Sequence, residues 1–340
     1  MSDVGTTHED LERFLAEHHL VGAGLRRDGM APLREGNTSA YWSWDGIYQG
    51  LKRSGEIVTV GPGGMTGMRS VTGIEARNFP IWMNAQILMP GERTQAHRNT
   101  RSETRLVCQA PAKDAFFVCE HEAFPMERGD VIISPSWTFH DHWNEGDEPA
   151  LWVDGYDNGY CGGVNLNERM PEDDPYQEVK KPDGHGNKTR GHARPPTGEA
   201  PYPLPPMRYP WAETQAALSA LTEAGEQDPY EGAHIMLASP VDNGPTLPTI
   251  AWHAQLLSAG QKTLAHRHNS TTFYFAFEGA GVIDIEGDRL QWHQGDIFAV
   301  PAWKWHHHEN GEEGESILFS IDDWPAMTKM GFYQKETAKP

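Results

Sequence analysis

Two histidines one residue apart, His266 and His268, end the string LLSAGQKTLAHRH, and a run of three, His306, His307 and His308, follows in PAWKWHHHEN. In an extended strand, residues i and i+2 point to the same face. His266 and His268 would then share a face, and His306 from a second strand would complete a facial triad, with His308 on the same side as His306. Imidazole nitrogens suit iron, zinc, copper and nickel. A three-histidine face leaves coordination positions open for a substrate and for a small molecule such as O2.

The chain carries a second version of this arrangement. Residues 87–99 read ILMPGERTQAHRN and share the Gly, the Thr and the Ala-His-Arg tripeptide in register. Each copy is followed by a matching Gly-Asp…Pro-x-Trp-x-aromatic-His element, so His97, His140 and His142 occupy the places of His266, His306 and His308. Asn99 stands where the second copy has His268. An amide oxygen is a poor ligand for such a metal. Glu103, four residues on, falls on the same strand face, so His97 and His140 with Glu103 would make a two-His-one-carboxylate set. Arg105 lies on that face too, and its guanidinium competes for the carboxylate.

Short alternating apolar runs split by Gly, Pro and Asp must position these residues: IWMNAQILM, TRLVCQA, DVIIS and ALWVDGYD in the first half, TIAWHAQLLS, TTFYFAFEG and SILFSI in the second. This is an all-β pattern, and the half-chain repeat makes it a duplicated β-domain. The spacing between the paired elements differs by a few residues, which a turn near Lys113 and Asp114 absorbs. Helices are expected over 7–20, where Thr7 and Asp10 form a capping box, and over 212–224, ending at Gly225. Residues 157–210, rich in Gly, Pro and charge, read as a connection with little regular structure, and His185 and His192 in it as solvated. Trp137, Trp303 and Trp305 read as barrel-core aromatics, and Glu278 as a turn residue. The expected units are an arm (1–74), a first β-domain (75–160), a connection (161–228) and a second β-domain (229–340).

Of the 340 residues 38% are hydrophobic and 22% charged, and the net charge is −20. That balance argues against nucleic acid or an anionic membrane surface as partner. Three cysteines, Cys108, Cys119 and Cys161, with no CxxC, argue against a disulfide framework and against cysteine-bound zinc. The polar N-terminus lacks the pattern of a secretory signal, so a cytoplasmic location is expected.

The paired elements resemble the two motifs of the cupin superfamily. The doubled form, with AHRH, GDxxxxPxW and SILFSIDDWP, resembles the bicupin ring-cleaving gentisate, salicylate and 1-hydroxy-2-naphthoate 1,2-dioxygenases. The resemblance implies two cupin (jelly-roll) barrels, non-haem Fe(II), and an ortho-hydroxybenzoate substrate opened between C1 and C2 by O2. It places the working site in the first barrel, with a substrate clamp and pocket matching Trp82, Gln86, Arg105, His142 and Asp154. In the second half Gln255 repeats Gln86, but Tyr274 stands where Arg105 would be. The first half thus keeps the clamp and loses a ligand, while the second keeps the ligands and lacks the Arg. Because losing a metal ligand outweighs changing a pocket residue, the favoured metal set is His266, His268 and His306; the alternative is His97 and His140 with Asn99 or Glu103. A non-catalytic metal- or small-molecule-binding bicupin is the alternative class. Thr272, where an oxalate-type decarboxylase needs a carboxylate, counts against that chemistry. A homo-oligomer is expected.

Overall fold

The computed structural model describes residues 7–22, 39–61, 69–73, 76, 79–111, 114–161, 164–181, 185–186, 207–311 and 313–339; His192 and Lys113 lie outside them. Two sheets build each half. In the first, a seven-stranded sheet runs in the order Leu20–Gly22, Arg69–Gly73, Trp82–Leu88, Ala150–Tyr156, Glu103–Gln109, Val131–Ser134, Met207–Tyr209. It faces a five-stranded sheet of Asn167–Arg169, His97–Asn99, His140–Asn144, Ala115–Cys119 and Glu122–Pro125. The second half repeats this with Ala233–Met236, Ala251–Leu257, Ser316–Asp322, Thr272–Glu278, Ile297–Val300 and Ala40–Trp42 in one sheet. Its other sheet holds Asp288–His293, Ala280–Ile285, His306–Asn310, His266–His268 and Lys335–Thr337.

The larger sheets are buried on both faces, which is why Ala150–Tyr156 and Ala251–Leu257 carry no exposed position. One face of each joins a shared core between the barrels, where Met83, Ile87, Leu106 and Val153 meet Trp252, Phe273, Phe319 and Ile321. The opposite faces line the barrel interiors, around Phe117 and Trp152 in the first and Tyr274, Trp292 and Phe298 in the second. Polar links cross the shared core in a near-symmetric pair: Tyr160 donates to Asp323 and Thr249 to Asp157, each at 2.6 Å.

The expected first helix spans His8–Glu17 with the Thr7–Asp10 capping box, and the second spans Trp211–Ala224, closed by left-handed Gly225. A third helix, Trp44–Ile57, was not expected, because Gly46, Gly50 and Gly55 lower its propensity. Packing explains one of them: a Cβ on Gly50 would lie 2.7 Å from Leu15 of the first helix. The N-terminal arm also crosses to the second barrel. Ala40–Trp42 pairs with Ile297–Val300, and the Trp42 ring fills the space over Gly73, where a Cβ would sit 1.8 Å away.

The connection is more ordered than its composition suggests. Asn167–Arg169 and Met207–Tyr209 are strands of the first barrel, and buried Gln177 donates to Asp141 at 2.9 Å. Cys108 and Cys119 lie on opposite sheets, and all three cysteines are free. Trp137 and Trp303 are not core aromatics. They are 37% and 36% exposed, take left-handed φ values of 63° and 66°, and cover Arg98 and Arg267. Their backbone amides donate to Asn99 and His268, so each tryptophan turn closes onto its His strand.

Candidate metal centres

The ladder places the histidines as the alternation requires. His266 lies directly opposite His306, and His97 opposite His140. The intervening arginine of each Ala-His-Arg points outward to a covering strand, Arg98 to Glu168 and Arg267 to Glu336. With that residue satisfied outside, both flanking positions are buried.

In the second barrel the ligand atoms of His266, His268 and His306 all lie within 4.8 Å of one another. His268 Nδ1 sits 2.8 Å from Ser270 Oγ and 3.0 Å from the Ser270 carbonyl, and His306 Nδ1 3.0 Å from the Lys304 carbonyl. These partners fix the rings and turn each Nε2 toward the centre, as the outer ring nitrogen of a metal-bound imidazole is usually held by a hydrogen bond. Burial first, then neighbouring imidazoles, holds His268 and His306 below the ordinary histidine range. They are therefore neutral at pH 7, the form that binds metal. Both nitrogens of His266 and Nε2 of His306 are buried without a hydrogen-bond partner. A dry histidine cluster with orphaned nitrogens is costly unless a cation fills it.

The neighbouring interior face is also polar and unsatisfied. His253, Gln255, Thr272 and Asp322 are on the face that carries Tyr274, through the pairs Thr272↔Asp322, Tyr274↔Ser320 and His253↔Ser320. Both His253 nitrogens, Gln255 Nε2, Thr272 Oγ1 and Asp322 Oδ1 lack hydrogen-bond partners. His234 stacks on His253 at 4.8 Å, and Tyr274 packs edge-on to His308 at 5.1 Å. No arginine or lysine stands among these positions.

The first barrel is organised differently. The ligand atoms of His97, His140 and Glu103 also fall within 4.8 Å of one another. Glu103, however, is already engaged. Arg101 and Arg105 each approach it at 2.7 Å, Asn99 Nδ2 donates to it at 3.1 Å, and His140 Nε2 lies at 3.1 Å. Burial works to raise the Glu103 carboxyl, but Arg101, His140 and Arg105 outweigh it and hold it well below its usual range. Arg105 also donates to His142 Nε2 at 2.8 Å and lies 3.7 Å from Asp154. Gln86 donates to Tyr156, which donates to Asp154 at 2.7 Å. Thus Gln86, Arg105, His142 and Asp154 form one buried network, while Trp82 sits at its edge, opposite Tyr156. Burial above all raises the Asp154 carboxyl to about 7, and burial with His140 presses His97 down to about 3.

Sequence reasoning missed three participants. Arg101 was within reach, since alternation puts 101, 103 and 105 on one face. Tyr156 enters only through the ladder pairing Tyr156↔Glu103. Glu231, which contacts His266 at 2.9 Å, comes from a turn far upstream that no motif marks.

Two barrels of this topology, each with histidines at one mouth, define a duplicated cupin, and residues 84–156 and 254–322 each match the cupin domain family. The chain is 32% identical to the 5-aminosalicylate 1,2-dioxygenase of Comamonas sp over 87% of its own length and 80% of the relative's. It is 31% identical to the gentisate 1,2-dioxygenase of Haloferax sp, with 95% of each chain covered. The salicylate 1,2-dioxygenase of Pseudoaminobacter salicylatoxidans, solved as a gentisate adduct, superposes with a TM-score of 0.80 at 26% identity, covering 92% of this chain and 88% of that one. The chain belongs to the bicupin ring-cleaving 1,2-dioxygenases, and it is an oxidoreductase of the dioxygenase class. No helix among the described residues is long and apolar enough to cross a membrane.

Proposed function

We propose that this enzyme is a non-haem Fe(II) 1,2-dioxygenase that opens an ortho-hydroxybenzoate, gentisate or a substituted salicylate, and that His266, His268 and His306 hold its iron. The observation that carries the assignment is the contrast between the two mouths. The second brings three buried imidazoles together, with nitrogens of His266 and His306 left without hydrogen-bond partners, whereas in the first Glu103 and the Arg105 clamp neutralise each other. The donor set fits Fe(II), since imidazole suits it and three histidines leave three positions of an octahedron free. Bound iron would bring a carboxylate-and-hydroxyl chelate and O2 together, so that electrons leave the ring as the C1–C2 bond breaks and both oxygen atoms enter the product.

The protein's own part is orientation and exclusion of water. Gln255 Nε2 is a pre-placed donor for an anionic substrate oxygen, His253 offers one ring N–H beside it, and Thr272 Oγ1 and Asp322 Oδ1 are free to accept from a ring substituent. The aromatic floor of Tyr274, Phe298 and Trp292 closes the barrel beneath them and keeps the centre dry. A substrate held this way needs no arginine, because the metal takes its carboxylate.

The test is iron content and O2 uptake in anaerobically reconstituted wild type, His266→Ala and His97→Ala. Wild type should hold one iron per chain and consume O2 with gentisate or a substituted salicylate. The His266 variant should lose both properties and the His97 variant keep them. A second reading, iron at His97, His140 and Glu103, rests on their mutual distance within 4.8 Å. Full iron and turnover in His266→Ala would establish it instead.

A further inference from the structure

We propose that Glu231 is a fourth protein ligand of the His266–His268–His306 centre, a carboxylate contributed from outside the repeated motif. This rests on the assignment of the metal to the second barrel.

Glu231 is held in place by a closed turn. Asp228 and Gly232 exchange both backbone hydrogen bonds, at 2.8 and 2.9 Å, and Asp228 Oδ1 accepts from the amides of Tyr230 and Glu231. Gly232 takes a φ of 79°, and a Cβ there would meet the Leu256 carbonyl at 2.7 Å, so the turn lies tight against the barrel. The Pro229 carbonyl accepts from the amide of Leu264, two residues before His266. Tyr230 packs edge-on to the His266 ring and donates to the carbonyl of Ala338 at 2.9 Å. The turn is thus tied to the His strand on one side and to the C-terminal tail on the other.

The carboxylate it delivers is 9% exposed and has no ion-pair partner among the arginines and lysines of the described residues. Its neighbours are imidazoles: His266 in contact, with His234 and His308 near enough to act on its charge. A buried carboxylate is costly without a fixed positive charge beside it, and no arginine or lysine of the described residues supplies one. A divalent ion at the triad supplies that charge. The contact distance agrees. Glu231 Oε1 is 2.9 Å from His266 Nε2. Two donors each about 2.1 Å from one octahedral ion lie about 3.0 Å apart when cis. In the first barrel, by contrast, the carboxylate near the histidines is taken by two guanidiniums.

Four protein donors leave two positions on a six-coordinate ion. That accommodates a chelating hydroxy acid, and any further ligand enters only when Glu231 leaves. Glu231 would then also lower the net charge at the centre, tuning how strongly it holds an anionic substrate.

Cobalt(II) titrated alone into the metal-free full chain tests this, with the visible absorption spectrum and the affinity against a chromophoric chelator as readouts. Wild type, Glu231→Gln, Glu231→Ala and His306→Ala are compared. Glu231→Ala should bind cobalt at least about 10-fold more weakly, with a changed band position and intensity. Added formate, filling the vacated space, should return the Glu231→Ala spectrum toward wild type. Because loss of an outer partner also weakens binding by about 10–100-fold, the spectrum decides between a ligand and a neighbour. An unchanged spectrum in both Glu231 variants, with His306→Ala losing cobalt, overturns the role of Glu231 and leaves the triad standing. Full cobalt binding in His306→Ala overturns both. Circular dichroism of the metal-free variants separates a misfolded chain from a lost ligand, and the near-isosteric Gln variant supplies the reading if Ala does not fold.

Discussion

If Glu103 is the counter-charge of the first barrel rather than a metal ligand, its neutralisation should damage stability and spare the metal. Glu103 is 4% exposed and takes Arg101 and Arg105 at 2.7 Å each. At an effective dielectric of 20, each such contact corresponds to roughly 6 kcal/mol of attraction, most of which only offsets the desolvation of the charges. Removing one member leaves the others uncompensated, at a cost of about 3–5 kcal/mol. Gln in Glu103→Gln can still accept from one guanidinium, but its amide hydrogens must face the other or Asn99. The loss should therefore be about 3 kcal/mol, a fall in Tm of about 4 °C for a chain of 340 residues. Adding Arg105→Met to this variant removes one orphaned charge and should recover at least about 1 kcal/mol, a coupling readable from the double-mutant cycle. The pH dependence has a definite sign. The Glu103 carboxyl is held well below its unfolded value of 4.5, so its contribution is complete above that value and fades as pH falls toward the folded one. The gap between wild type and Glu103→Gln should accordingly stay constant from pH 8 to about 5 and close in acid. The assay is calorimetry on metal-free protein, paired with iron content after reconstitution. An unchanged Tm together with lost iron would refute the reasoning and make Glu103 a ligand.

Two further outcomes follow from the same geometry. Burial raises the Asp154 carboxyl to about 7 from an unfolded 3.8, so folding takes up a proton. That stabilisation is full below pH 3.8 and is lost as pH rises to about 7, at up to about 1.4 kcal/mol per unit; urea midpoints of Asp154→Asn should be flatter with pH and equal or exceed wild type at pH 8. Truncation after Phe332 removes Lys335–Thr337, which pairs with His266–His268, and the Ala338 carbonyl that holds Tyr230. Metal should then be retained at least about 10-fold more weakly against a chelator, and unaltered retention would show that the tail has no part in orienting the centre.

The fold was readable in advance because the doubled motif and the alternating runs repeat in register. The ladder pairs His97↔His140 and His266↔His306 realise the same spacing twice. The helix over Trp44–Ile57 was not readable, because its glycines serve contacts with the first helix that sequence does not display. The exposed tryptophans were misread for a related reason: apolar content signals a core only where the backbone turns inward, and the left-handed Trp137 and Trp303 turn out to cover an arginine instead.

The sites divide the same way. Imidazole spacing was visible, while the charge balance around it was not, since that depends on residues brought in by pairing or by a remote turn. Position 103 shows what this means for a duplicated fold. Its counterpart is Thr272, and the counterpart of Arg105 is Tyr274, so one barrel carries a carboxylate and a guanidinium at the positions where the other has a hydroxyl and a phenol. With Asn99 where the second copy has an imidazole, the guanidinium that would clamp a substrate carboxylate has an internal carboxylate within 2.7 Å. The first mouth thus matches its charges internally, whereas the second leaves buried nitrogens of His266 and His306 without hydrogen-bond partners, which the proposed metal would occupy.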